Sequence, residues 1–81
     1  IWKPRYFEIE NRVLYCFHDA NSTKVPLRAF PLTEECEIIE NKSDSKYPFM
    51  FELVNQSTNM KFLLRAQSQE EYDAWTEALR R

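Results

Sequence analysis

The chain contains no glycine among its 81 residues, although average usage of about 7% would place several. Glycine supplies left-handed backbone at no steric cost. Without it, tight turns fall to asparagine and aspartate, the non-glycine residues that best tolerate positive φ. The candidates are Asn11, Asp19 with Asn21, Asn41 with Asp44, and Asn55 with Asn59, each between apolar runs. The same absence excludes nucleotide-binding loops built on glycine. Cysteine is scarce: Cys16 in VLYCF and Cys36 in ECEII stand in strand-like segments, without a metal-ligand partner at useful spacing. They are expected to be two reduced, buried thiols of a cytosolic protein, with a disulfide or a reactive thiol as the alternative. The single histidine, His18, stands alone in a polar loop, is expected to be inert, and completes no nucleophile–base pair. Glu34 and Glu35 are neighbours in sequence and read as ordinary solvation of a turn, so an enzyme is not expected. No apolar run nears the roughly 18 residues of a membrane span, and no signal-peptide, repeat or low-complexity pattern is read. A net charge of −2 argues against a globally basic nucleic-acid binder, though not against a local basic patch.

Aromatic residues are plentiful, with six Phe, four Tyr and two Trp. They suit a chain only just longer than the roughly 70–80 residues at which one core becomes marginal, and a single domain over residues 1–81 is expected. The clearest local signal is the C-terminal stretch SQEEYDAWTEALRR. Ser68 is a helix N-cap, and Glu71, three residues later, completes a capping box. Tyr72, Trp75 and Leu79 fall on one helical face. Glu70, Glu71 and Asp73 suit the positive end of the helix dipole, and Arg80 and Arg81 the negative end. A helix over about 69–81 with Trp75 in the core is predicted.

Everything before Ser68 reads as short strands. Residues 3–10 (KPRYFEIE) alternate, with Lys3, Arg5, Phe7 and Ile9 on one face, basic at its start and apolar at its end. Asn11 and Arg12 turn the chain into residues 13–17. Tyr15 and Phe17 share a face opposite Leu14 and Cys16, as sheet-surface packing or part of a partner patch. A polar loop over 18–25 precedes a strand over 26–33, with Arg28, Phe30 and Leu32 on one face. Pro26 and Pro31 make that strand an edge, or bent or bulged at Pro31. Residues 36–40, then Phe49 to Val54, then Phe62, Leu64 and Ala66 supply three more strands, the first two separated by the polar segment 41–48. Six strands and a helix predict a mainly β chain, a barrel or sandwich of two antiparallel sheets capped by one C-terminal α-helix.

These segments, in this order, resemble a pleckstrin homology (PH) domain. WKPRYFEIENRVLYCF is similar to the family's second and third strands, PLRAFPL to the fourth, and FMFELVN to the sixth. KFLLRAQSQEEYDAWTEAL is similar to the seventh strand and the C-terminal helix with its Trp. The likeness begins at the second strand, so the chain reads as a PH domain without its first β-strand.

The resemblance implies a non-catalytic membrane-targeting module within a larger signalling or trafficking protein, cytoplasmic and peripherally membrane-associated, without a cofactor. It implies phosphoinositide or another anionic lipid as partner. PH domains that bind phosphoinositides use Lys/Arg-x-Arg at the start of the second strand, which Lys3 and Arg5 match. Arg28 and Lys24 complete the implied site, Lys24 by long-range attraction. Two departures point to weak or broad binding: Cys16 stands where strong binders often carry Tyr, and Leu27 where they often carry a base. The alternative is a protein-interaction module for a small GTPase, an acidic peptide or a neighbouring domain.

Overall fold

The computed structural model describes residues 3–40 and 46–80. Six strands and one helix follow in the order β1 (Tyr6–Glu10), β2 (Val13–Phe17), β3 (Arg28–Pro31), β4 (Cys36–Glu40), β5 (Met50–Asn55), β6 (Met60–Arg65) and α1 (Gln69–Arg80). They form two antiparallel three-stranded sheets, ordered β1-β2-β3 and β4-β5-β6, so the chain is mainly β with one C-terminal helix. The chain divides into two compact units, 1–33 and 34–81, each with one sheet.

In the first unit β1 and β2 are joined by two residues, Asn11 and Arg12, with φ of 51° and 61°. Two successive positive φ values define the hairpin turn whose twist matches that of the strands. Asn11 takes this conformation readily; Arg12 is there against its own preference, at roughly 1–2 kcal/mol. The turn sets the pairing Glu10↔Val13 and, further along, Phe7↔Cys16. On the other side of β2, Leu14 pairs with Phe30 and Cys16 with Arg28. One face of the sheet thus carries the rows Ile9–Leu14–Phe30 and Phe7–Cys16–Arg28, and Leu14 and Phe30 are among the most completely buried side chains.

β1 and β3 are shorter than alternation predicts, whereas β2 and β4 have the expected bounds. Lys3, Pro4 and Arg5 precede β1, and β3 spans four residues rather than eight. β3 is an edge strand of its sheet, the first of the two arrangements expected from Pro26 and Pro31, and Pro31 pairs regularly with Val13; a bulge lies at the other end of the strand. The Leu27 N–H donates to the Cys16 carbonyl (2.7 Å), although Arg28 is the register partner of Cys16. Two successive residues therefore oppose one, the arrangement of a β-bulge. Phe17, expected on a surface with Tyr15, is buried; its ring lies 6.2 Å from Tyr6 and 6.3 Å from Tyr15.

In the second unit β5 is the central strand, and five of its six residues are buried. Asn55 closes β5 as a side-chain turn: its Oδ1 accepts the N–H groups of Ser57 and Thr58 (2.9 and 3.1 Å), and Asn59 takes φ 61°. Asp19 instead makes a side-chain turn with the Asn21 N–H (2.9 Å), and neither it nor Asn21 has positive φ. The Asn41–Asp44 candidate lies outside the described residues.

The helix packs on the second sheet through Tyr72. Its ring meets Phe51 edge-on at 5.5 Å, and its hydroxyl donates to Glu40 Oε1 (2.6 Å). The buried helical residues are Tyr72, Thr76 and Leu79, whereas Trp75, expected in the core, is half-buried. Thr76 is buried without cost because its hydroxyl donates to the Tyr72 carbonyl (2.8 Å). At the helix start the Glu71 N–H donates to Ser68 Oγ (3.1 Å). Glu71 Oε2 accepts from the Gln67 N–H (3.1 Å), one residue upstream of the usual capping-box partner.

Two outcomes follow from this packing. Ser68→Ala removes the cap acceptor and is expected to cost about 1 kcal/mol in urea unfolding; an unchanged midpoint would contradict the capping role. Burial and the hydrogen bond to Glu40 raise the Tyr72 hydroxyl to about 12. With the folded-state value above the ordinary 10, this stabilisation is complete below pH 10 and is lost as pH rises through about 12. The stability difference between the wild-type chain and Tyr72→Phe should therefore shrink over that window in chemical denaturation series. A constant difference would show that Tyr72 does not titrate against Glu40.

Candidate functional site

The four residues singled out in the sequence all lie in the first unit. Lys3 is exposed on the segment leading into β1, and Arg5, half-buried, directly precedes that strand. Lys24 is exposed on the loop between β2 and β3, and Arg28 is the first residue of β3. The fold gathers two of them. Arg28 lies directly across from Cys16. Extending the β1–β2 register by one step beyond Tyr6↔Phe17 sets Arg5 against His18, and their side chains meet there: Arg5 Nη1 lies 3.2 Å from His18 Nδ1. Arginine has no acceptor, so Arg5 donates and Nδ1 carries no proton in this contact. Arg5 Nη1 also donates to the Pro4 carbonyl (3.4 Å).

Cys16 registers both cations. Burial pushes its thiol up, and the positive charges of Arg5 and Arg28 pull it back part of the way. The charges of Arg5, just before β1, and of Arg28, at the start of β3, thus bear on the same buried thiol. Planar guanidinium donors suit oxygen-rich anions such as phosphate, which arginine can hold through two parallel hydrogen bonds. Lys3 and Lys24 stay on the flanking segments as exposed charges. Among the described residues, no group of three or more His, Cys, Asp or Glu could hold a metal ion.

The PH domain family matches residues 1–81. The chain belongs to the PH domain family. The serine/threonine-protein kinase pakC of Dictyostelium discoideum is 37% identical over 78 residues, which is 96% of this chain but 16% of that kinase. The solution structure of the pleckstrin homology domain of the human KIAA0053 protein superposes with a TM-score of 0.78 at 30% identity, covering 99% of this chain and 73% of the other. The PH domain therefore corresponds to a small part of the kinase it resembles, and PH domains are in general non-catalytic modules that commonly bind phosphoinositides or proteins.

Two features of this PH domain escaped the sequence reading. His18, expected to be inert, is the side-chain partner of Arg5. The signal was available, because a two-residue turn at Asn11 and Arg12 counts Arg5 opposite His18. Lys46, in the segment read only as polar, lies 5.7 Å from the centre of the Tyr47 ring, which Arg65 also approaches at 5.0 Å. That cation–aromatic contact depends on β6 and could not be counted from the loop alone. The expectation of two buried thiols also needs correction: the two cysteines form no disulfide, but only Cys16 is buried, and Cys36 is half-buried at the start of β4 with the Asn55 amide 4.0 Å from its sulfur.

Thiol labelling tests this environment. In the native chain, iodoacetamide should modify Cys36 well before Cys16, which burial both shields and holds protonated. Mass spectrometry of partly labelled protein showing Cys16 modified first would refute the arrangement.

Proposed function

We propose that this PH domain is a membrane-targeting module within a larger signalling protein, which binds phosphoinositides and other anionic lipids weakly or broadly. The reading rests on one observation: Arg5 and Arg28, from opposite sides of β2, converge on the face that carries Cys16. Arg5 is pre-oriented by His18, so less of its side-chain freedom is lost on contact with phosphate. Lys3 and Lys24 add exposed positive charge on either side, useful for attraction over about a Debye length, roughly 8 Å at physiological ionic strength. The module would act in the cytoplasm and at its membrane surfaces. No described helix is long and apolar enough to cross a bilayer.

Low affinity is expected because the anion site contains few groups. Each charged hydrogen bond to phosphate contributes about 1.5–3 kcal/mol, and the thiol of Cys16 adds little as a donor. A protein-interaction role is the second reading. It is favoured by Ile39 and Leu63, which are 45% and 47% exposed and lie on either side of Glu52 in one row of the second sheet.

Vesicle co-sedimentation decides between the two. Binding to vesicles carrying a phosphoinositide should fall with added salt, and Arg5→Ala and Arg28→Ala should each weaken it roughly 10- to 100-fold. A folded wild-type chain that ignores every anionic vesicle would overturn lipid targeting. Ile39→Asp should leave vesicle binding unchanged.

A further inference from the structure

Val25 and Leu27 are the two most exposed large apolar side chains among the described residues, at 77% and 55%. They stand two positions apart on the loop between β2 and β3, separated by Pro26 and bracketed by Lys24 and Arg28, in the sequence KVPLR. Single exposed apolar residues need no explanation. Two of them together, held on restrained backbone between two cations, do.

The restraint is visible at three points. Pro26 fixes its own φ. The Leu27 N–H is tied to the Cys16 carbonyl at 2.7 Å, at the bulge that opens β3. The base of the loop is folded by the Asp19 turn, in which the Ser22 N–H donates to the Asp19 carbonyl (3.2 Å) and the Asn21 N–H to the Asp19 carboxylate. The loop therefore holds its apolar tip outward instead of folding it back against the sheet.

We propose that Val25, Pro26 and Leu27 form an apolar wedge that enters the interfacial region of an anionic bilayer. Lys24 and Arg28 would remain at the phosphate level beside it. The occupant follows from the order of charges. A lipid surface offers anionic headgroups first and hydrocarbon beneath, and the loop offers cations at its shoulders and apolar groups at its tip. Long basic side chains keep their charge in the headgroup layer while their stems accompany the apolar residues. Arg28 belongs to both features, since it flanks the wedge and faces Cys16 beside the charge of Arg5. The wedge thereby deepens the lipid-targeting reading and rests on it: headgroup contact and insertion occur on the same approach to the membrane.

The test uses the whole chain with two probes, a soluble inositol phosphate and vesicles of phosphatidylcholine with phosphatidylserine and a phosphoinositide. Val25→Ser/Leu27→Ser should bind these vesicles roughly 10-fold more weakly than wild type, with unchanged affinity for the soluble headgroup. Leu27→Trp should show quenching by lipids brominated on their acyl chains beyond that of the wild-type chain, which carries Trp2 and Trp75. Vesicle affinity equal to wild type in the double variant, or no added quenching, overturns the wedge and leaves headgroup binding standing. Added quenching with no effect of Arg5→Ala on either probe upholds the wedge and removes the arginine site. A cooperatively folding wild-type chain that binds neither probe overturns both.

Discussion

A two-residue turn without glycine governs the first unit. Asn11 and Arg12 both adopt left-handed backbone, and that geometry holds β1 against β2 in one register. Side chains on a strand alternate between faces, so a slip of one residue would move every inward group outward. Arg5 meets His18, and Phe7 meets Cys16, only in the observed register. The pairing of β2 with β3 adds Arg28 on the same face. The candidate anion site is therefore a consequence of strand register, with the turn as its origin and the strain at Arg12 as part of its cost.

The bulge at Leu27 and Arg28 gives the same unit its second character. Alternation over residues 26–33 puts Arg28 on the face of Phe30 and Leu32, and the bulge lets the strand reach that register while Leu27, the preceding residue, is still bonded to Cys16. A bulge redirects side chains and ends regular pairing. Here it marks the boundary between a paired strand and a loop whose apolar tip is exposed. Basic and exposed apolar side chains thus stand next to each other in one short segment.

The second unit is held by a different arrangement. β5 is paired on both sides and buried along nearly its whole length, and Tyr72 joins the helix to it through Phe51 and to β4 through Glu40. A buried hydroxyl needs a partner, and a carboxylate provides a strong one. Tyr72 thus anchors the helix: its ring fills the apolar contact while its hydroxyl is satisfied at the sheet edge.

The residue pattern by itself determined the order of six strands and one helix, the turn at Asn11 and Arg12, the Ser68 cap and the family. All of these are local: turn chemistry, capping and alternation act over a few residues and leave a periodic trace. It also marked Lys3, Arg5, Lys24 and Arg28 as candidates, but not how they are arranged. Only the tertiary structure set Arg28 against Cys16, joined Arg5 to His18, chose the edge position for β3 with its bulge at Leu27, and left Trp75 half-buried. The reason is physical. Pairing between strands and the packing of a helix on a sheet depend on partners distant in sequence, and a polar side chain such as His18 acquires its role from the neighbour that the register brings to it.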